Sequence, residues 1–137
     1  MSESYIVVER TPSIAEYNRV RAAAGLGAKS ETAAVRGLSG GLYSVCVEHA
    51  SEVVGIGRVI GDGGLFYDIV DIAVLPEHQR KGVGQKIMSA LMKYLDEHAP
   101  PTALICLLSN RGDVPRFYEK FGFKIRDPDM PAMIIRK

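Results

Sequence analysis

The chain has 137 residues, of which 47% are hydrophobic and 24% charged, a balance that fits one soluble globular domain over residues 1–137 and excludes a disordered chain. Seventeen basic residues stand against sixteen acidic ones, so the cationic excess of a nucleic-acid binder is missing. The start, Met1-Ser2-Glu3-Ser4-Tyr5, has no charged lead before a long apolar run, and no uncharged stretch approaches the roughly 20 residues of a bilayer span, so a cytoplasmic setting away from membranes is expected.

Tyr5–Glu9 is rich in β-branched residues and reads as a first strand. A helix opens after Pro12, with Ser13 and Glu16 at capping-box spacing and Ile14, Tyr17 and Val20 on one face, and Gly25-Leu26-Gly27 stops it. Ser30 caps a second helix to Leu38. Strands over Tyr43–Glu48, Val53–Ile60 and Leu65–Val74 follow, joined by short glycine-containing turns that imply antiparallel hairpins. Cys46 and Cys106 sit among aliphatic residues and read as small hydrophobes in buried strands.

After the Pro76–Gly84 loop comes the clearest helix, to His98, with Ile87, Met88, Leu91, Met92 and Leu95 on one face. Pro100-Pro101 breaks it. Ala103–Leu108 is almost wholly apolar, the pattern of a strand covered on both faces. A short helix over Val114–Lys120 and two closing strands, Phe123–Arg126 and Met133–Arg136, complete an α+β (α/β) order: an antiparallel half joined to a βαβ half. His49, His78 and His98 show no metal-ligand spacing and read as solvated surface, so no metal is expected.

Chemistry concentrates in Gln79-Arg80-Lys81-Gly82-Val83-Gly84-Gln85, where a strand passes through a glycine-bearing loop into a helix. The first amides of a helix lack internal partners and carry the positive end of its dipole, which suits phosphate oxygens. Neither the P-loop nor the G-x-G-x-x-G dinucleotide pattern fits, because Ile87 occupies the position each would need.

Gln79 to Gly84 matches Q/R-x-x-G-x-G/A, and the chain thereby resembles the GNAT superfamily of acyl-CoA N-acyltransferases. Ile72-Ala73-Val74-Leu75-Pro76-Glu77 is similar to the family's run into that loop, and Phe117-Tyr118-Glu119-Lys120-Phe121-Gly122-Phe123 to its near-C-terminal box. The resemblance implies a mixed, mostly antiparallel sheet of six or seven strands flanked by about four helices, with a V-shaped opening between the fourth and fifth strands. It implies acetyl-CoA as co-substrate and a small amine as acceptor. Backbone groups of Ile72, Ala73 and Val74 would pair with the pantetheine arm, and the segment Gln79, Arg80, Lys81, Gly82, Val83, Gly84 and Gln85 would hold the pyrophosphate. Tyr118 would protonate the departing thiolate, with Arg116 or Lys120 easing that transfer. Many relatives carry an asparagine where this chain has Arg111, so Asn110, one step earlier, is the candidate for that cofactor contact.

An amine must lose a proton before it attacks, so a base or a water chain is needed. Asp68 falls where histone-modifying relatives place a catalytic glutamate and, being shorter, would act through water; the competing reading is a carboxylate that orders the strand or binds the acceptor amine. In a regular strand Asp68 shares a face with Val70, Ile72 and Val74 and opposes Asp71, which reads as structural. The acceptor cleft would be closed by Arg19–Leu38 and by Asp127-Pro128-Asp129-Met130-Pro131. A non-catalytic acyl-CoA sensor and a partner-binding domain that keeps only the fold are the competing readings, and a homodimer is left open.

Overall fold

The computed structural model describes residues 4–108, 114–125 and 132–137. It divides the chain into two units, Met1–Leu107 and Leu108–Lys137. In the first, β1 (Ile6–Glu9), α1 (Ile14–Ala23), α2 (Glu31–Leu38), β2 (Tyr43–His49), β3 (Glu52–Gly61) and β4 (Phe66–Val74) lead through a 3₁₀ turn at Pro76–His78 to α3 (Val83–His98) and β5 (Leu104–Leu107). The strands lie side by side in chain order, antiparallel from β1 to β4 and parallel between β4 and β5. The result is the mixed, mostly antiparallel α+β sheet that the sequence pattern predicts.

Local chemistry sets the helix starts. The Ser13 hydroxyl accepts from the Glu16 amide while the Glu16 carboxylate accepts from the Ser13 amide, a complete capping box at α1. Arg10 donates to Glu16 at 2.9 Å and, with the capping bonds, holds that carboxyl down at about 2. Ser30 caps α2 through the Ala33 amide.

The sheet is covered on both sides, and β3 decides which residue faces which helix. A Cβ at Gly57 would run into Ile87, Ile72 and Leu91, so only glycine lets α3 lie this close. Ile87, Met88 and Leu91 are fully buried there. Arg58, the next residue, points to the other side, where its guanidinium meets Asp71 and the Gly37 carbonyl beneath α1 and α2.

The register between β3 and β4 contains one irregularity. Ile60 pairs with Asp68, Val59 with Ile69 and Arg58 with Val70; Gly57 then faces two residues, Asp71 and Ile72, before Ile56 meets Ala73 and Gly55 meets Val74. This is a β-bulge, and Asp71 sits in it at φ 60°, a left-handed backbone that non-glycine residues seldom adopt. Such strain costs on the order of 1–3 kcal/mol and persists only where surrounding contacts hold it. Here Arg21 donates to Asp71 Oδ1 at 2.6 Å, Arg58 to Oδ2 at 2.9 Å, and the Tyr17 hydroxyl to Oδ2 at 3.0 Å. Burial and the neighbouring Asp71 charge push the Tyr17 phenol up to about 12.

The bulge corrects the regular-strand reading of the two aspartates. The extra residue reverses the alternation after Val70, so Ile72 and Val74 turn toward α3. Asp68, Val70 and Asp71 share the α1 side.

β4 pairs with β5 only from Phe66↔Leu104 to Ile69↔Leu107. From Val70 to Val74 that edge of β4 has no strand beside it among the described residues, which is the opening expected between the fourth and fifth strands. The pattern predicts six or seven strands; five pair among the described residues. Phe123–Ile125 and Met133–Arg136 form no strand, Arg126 lies outside those residues, and Ile125, Ile134 and Ile135 are exposed. Apolar alternation supplies a strand's side chains but not its partner. The covered-strand reading of Ala103–Leu108 is likewise corrected. Among the described residues β5 ends the strand order, Leu104 is 46% exposed, and Cys106 is exposed where a buried thiol is expected; Cys46, inside the sheet on β2, is buried.

In the second unit, α4 (Val114–Glu119) closes with the Phe121 amide donating to Tyr118 and the Gly122 amide to Glu119. The Phe117 ring packs edge-on against Tyr118 and Phe121, and Lys120 Nζ lies 5.8 Å from its centre.

Removing the clamp tests its importance. Asp71→Ala leaves two buried guanidinium groups without a counter-charge and is expected to cost about 3–5 kcal/mol of stability in urea unfolding. A loss below about 1 kcal/mol would mean the bulge holds without it.

Candidate active site

β4 delivers the chain into the loop that the sequence singles out. Arg80 has φ 62° and Gly82 φ 84°, two left-handed residues that turn the backbone sharply before α3 begins at Val83. Gly82 is the N-cap of α3, and no side chain caps that end. A Cβ at Gly82 would meet nothing within 4 Å, so the space above the loop is open. The first amides of α3 thus keep the unsatisfied donors and positive dipole end that an anion needs. Val83 anchors the turn by being buried, while Lys81, Gly82 and Gln85 are exposed. Gln79 is exposed too, and its Nε2 donates to the Val74 carbonyl at 3.0 Å, tying the loop to the end of β4. Ile72, Ala73 and Val74 lie on the stretch of β4 whose outer edge is open.

Asp68 stands five residues before Ala73, beside the last pairs that β4 makes with β5. Its Oδ1 is buried and has no hydrogen-bond partner. Burial raises its carboxyl above the ordinary 3.8, and no cation offsets that effect. An unpaired carboxylate with a raised pKa is poor structural material and good general-base material.

A family model described as an acetyltransferase (GNAT) domain matches residues 40–125, most of the chain. The chain belongs to the GNAT acetyltransferase family. A protein of unknown function from meticillin-resistant Staphylococcus aureus, described as a probable acetyltransferase, is 34% identical, with a TM-score of 0.93 over 98% of this chain and 100% of that one. The uncharacterized N-acetyltransferase ycf52 of Porphyra purpurea is 34% identical over 82 residues, 60% of this chain and 45% of that protein. The chain therefore spans about half the length of the curated relatives it matches. Arabidopsis thaliana Naa50, solved with a bisubstrate analogue containing CoA, shares the fold at 19% identity, with a TM-score of 0.72 over 93% of this chain and 86% of that one.

Tyr118, the tyrosine of the GNAT box, is 8% exposed. Burial raises its phenol above 10, which keeps the proton on the oxygen at neutral pH. No charged group among the described residues shifts the phenol, and Lys120 Nζ lies over the Phe117 ring. Asn110 and Arg111 lie outside the described residues, as do Asp127–Pro131. The histidines depart from the surface reading. His49 and His78 are half-buried against Tyr5, whose hydroxyl lies 2.9 Å from His78 Nδ1, and only His98 is exposed. No group of three metal-ligating side chains comes together among the described residues. No helix among them is long and apolar enough to cross a membrane.

Sequence reasoning missed the neighbour of Asp68. Cys106 pairs with Asp68 across β4 and β5, on the same face, and is exposed. A groove of about 410 Å³ lies elsewhere, over Pro12, Ile14, Ala34 and Val35; this face of β4 and β5 brings the unpartnered Asp68 oxygen beside an exposed thiol.

The raised pKa has a stability consequence of definite sign. The folded state holds the Asp68 proton to higher pH than the unfolded state does, so stability is lost as pH rises from 3.8 through the raised value. Asp68→Asn is therefore expected to match or exceed the parent in thermal stability at pH 7, with the advantage vanishing below pH 3.8. A marked loss at pH 7 would show that the carboxylate holds the strand together.

Proposed function

We propose that residues 1–137 form one N-acetyltransferase domain that moves the acetyl group of acetyl-CoA to a primary amine on a small acceptor by direct attack. The observation that carries this reading is the half-buried carboxylate of Asp68, one oxygen of which is buried without a partner, on the strand that leads into the uncapped start of α3. Bound acetyl-CoA supplies an acetyl thioester activated toward amines. Amides of Lys81, Gly82, Val83, Gly84 and Gln85 hold its pyrophosphate, with Arg80 and Lys81 as cationic rim and Gln79 bracing the turn. The open β4 edge at Ile72, Ala73 and Val74 offers backbone groups to the pantetheine arm in the manner of an added strand. Asn110 is the proposed side-chain contact to the cofactor.

The transfer makes one C–N bond and breaks one C–S bond. A free alkyl ammonium of pKa about 10.4 must give up its proton, and Asp68 receives it through a water. A backbone N–H on the open part of β4 polarises the carbonyl. The sulfur leaves with the electron pair of the broken bond and takes a proton from Tyr118. Donation from a phenol near pKa 10 to a thiolate whose acid is near 8.5 is uphill by roughly 2 kcal/mol. Burial of Tyr118 widens that gap while ensuring that the proton is present. The two free thiols, Cys46 and Cys106, suit a reducing cytoplasm.

Thiol release from acetyl-CoA in the presence of a panel of primary amines tests the reading. Amine-dependent release is expected, and Tyr118→Phe should lower kcat about 10²-fold with little change in the Kd for acetyl-CoA. Binding of acetyl-CoA without release for any amine would make the protein a sensor. Full turnover by Tyr118→Phe would make the tyrosine a packing residue.

A further inference from the structure

We infer that the acceptor carries its amine on an apolar body, seated by Phe66 and Leu104 beside Asp68. The inference rests on the acetyl-transfer reading above and names the kind of molecule that site takes. Register fixes which side chains surround the carboxylate. Along β4 its same-face neighbours are Phe66 and Val70; across the sheet they are Ile60 in β3 and Cys106 in β5. None of these is charged. The guanidinium on this face, Arg58, is committed to Asp71 and the Gly37 carbonyl.

The apolar part of this setting is open. Phe66 and Leu104 are register partners on the face of Asp68, and they are 59% and 46% exposed. Large apolar side chains left in water beside a carboxylate with an unpaired buried oxygen match a ligand with one cation and a hydrocarbon body. The spacing sets its length. Phe66 lies two residues from Asp68, roughly 6.6 Å along a strand, the reach of a two- or three-carbon tether between nitrogen and ring. A polyamine, a sugar amine or an amino acid would place a second polar group against Phe66 and Leu104, and none of the register neighbours of Asp68 carries a charge to pair with it.

The experiment compares 2-phenylethylamine with ethanolamine and 1,4-diaminobutane as acceptors for the full chain. The expected result is a kcat/KM at least tenfold higher for 2-phenylethylamine. Phe66→Ser should abolish that preference by raising its KM, with the KM for acetyl-CoA unchanged and the unfolding transition intact. A readout independent of turnover uses Cys106, exposed on the same face, with buried Cys46 as internal reference. Alkylation of Cys106 by iodoacetamide should slow at least threefold with saturating 2-phenylethylamine and remain unchanged with ethanolamine. Equal or better turnover of a hydrophilic amine would overturn the inference and leave the transferase reading standing. If no amine is acetylated, the transferase reading falls and the labelling decides: selective protection of Cys106 upholds the apolar-amine seat, and its absence overturns it.

Discussion

The ion-paired anchoring of Asp71 is the interaction on which the rest of the site depends. One carboxylate in a left-handed backbone receives two guanidinium groups and a phenol, and all four groups come from elements that must pack together for this to occur: α1, β3 and β4. The side chains of Arg21, Arg58 and Asp71 are 11%, 8% and 7% exposed, so the cost of burying the charges is offset only by their mutual fit. What the clamp secures is one extra residue in β4. That residue turns Ile72 and Val74 toward α3 and lies two positions beyond the last β4–β5 pair, at the start of the edge that leads to the Gly82 turn.

Two aspartates three residues apart consequently have opposite fates on one face. Asp71 has every oxygen engaged and holds structure. Asp68 has a buried oxygen with no partner and a pKa raised by desolvation alone. Proteins keep such a group where it has work to do, because as a structural element it only destabilises. The apolar residues around it strengthen this division: burial among them raises its pKa, and Phe66 and Leu104 leave a hydrocarbon surface beside it.

Most of the element order was legible in the sequence, since capping residues, glycine stops and the 3.6-residue stripe of α3 are local signals. The Gly82 turn was legible for the same reason: a glycine at a left-handed helix entry can be read without knowing the rest of the fold. The bulge was not, because it depends on Arg21, 50 residues away from Asp71 in the chain, and on Arg58, 13 away. Without it, Asp68 and Asp71 sort to opposite faces by simple alternation. The exposure of Cys106 and Leu104 was hidden too. An apolar strand reads the same whether it lies inside a sheet or ends it, and only the strand order tells which.

Backbone amide shifts on adding acetyl-CoA to isotope-labelled protein test the central claim most directly, because that claim concerns backbone groups. The account predicts the largest perturbations at Lys81–Gln85 and at Ile72–Val74, with the amides of β1 and β2 unmoved. Saturable perturbations centred elsewhere, with the Gly82 and Gly84 amides silent, would contradict it.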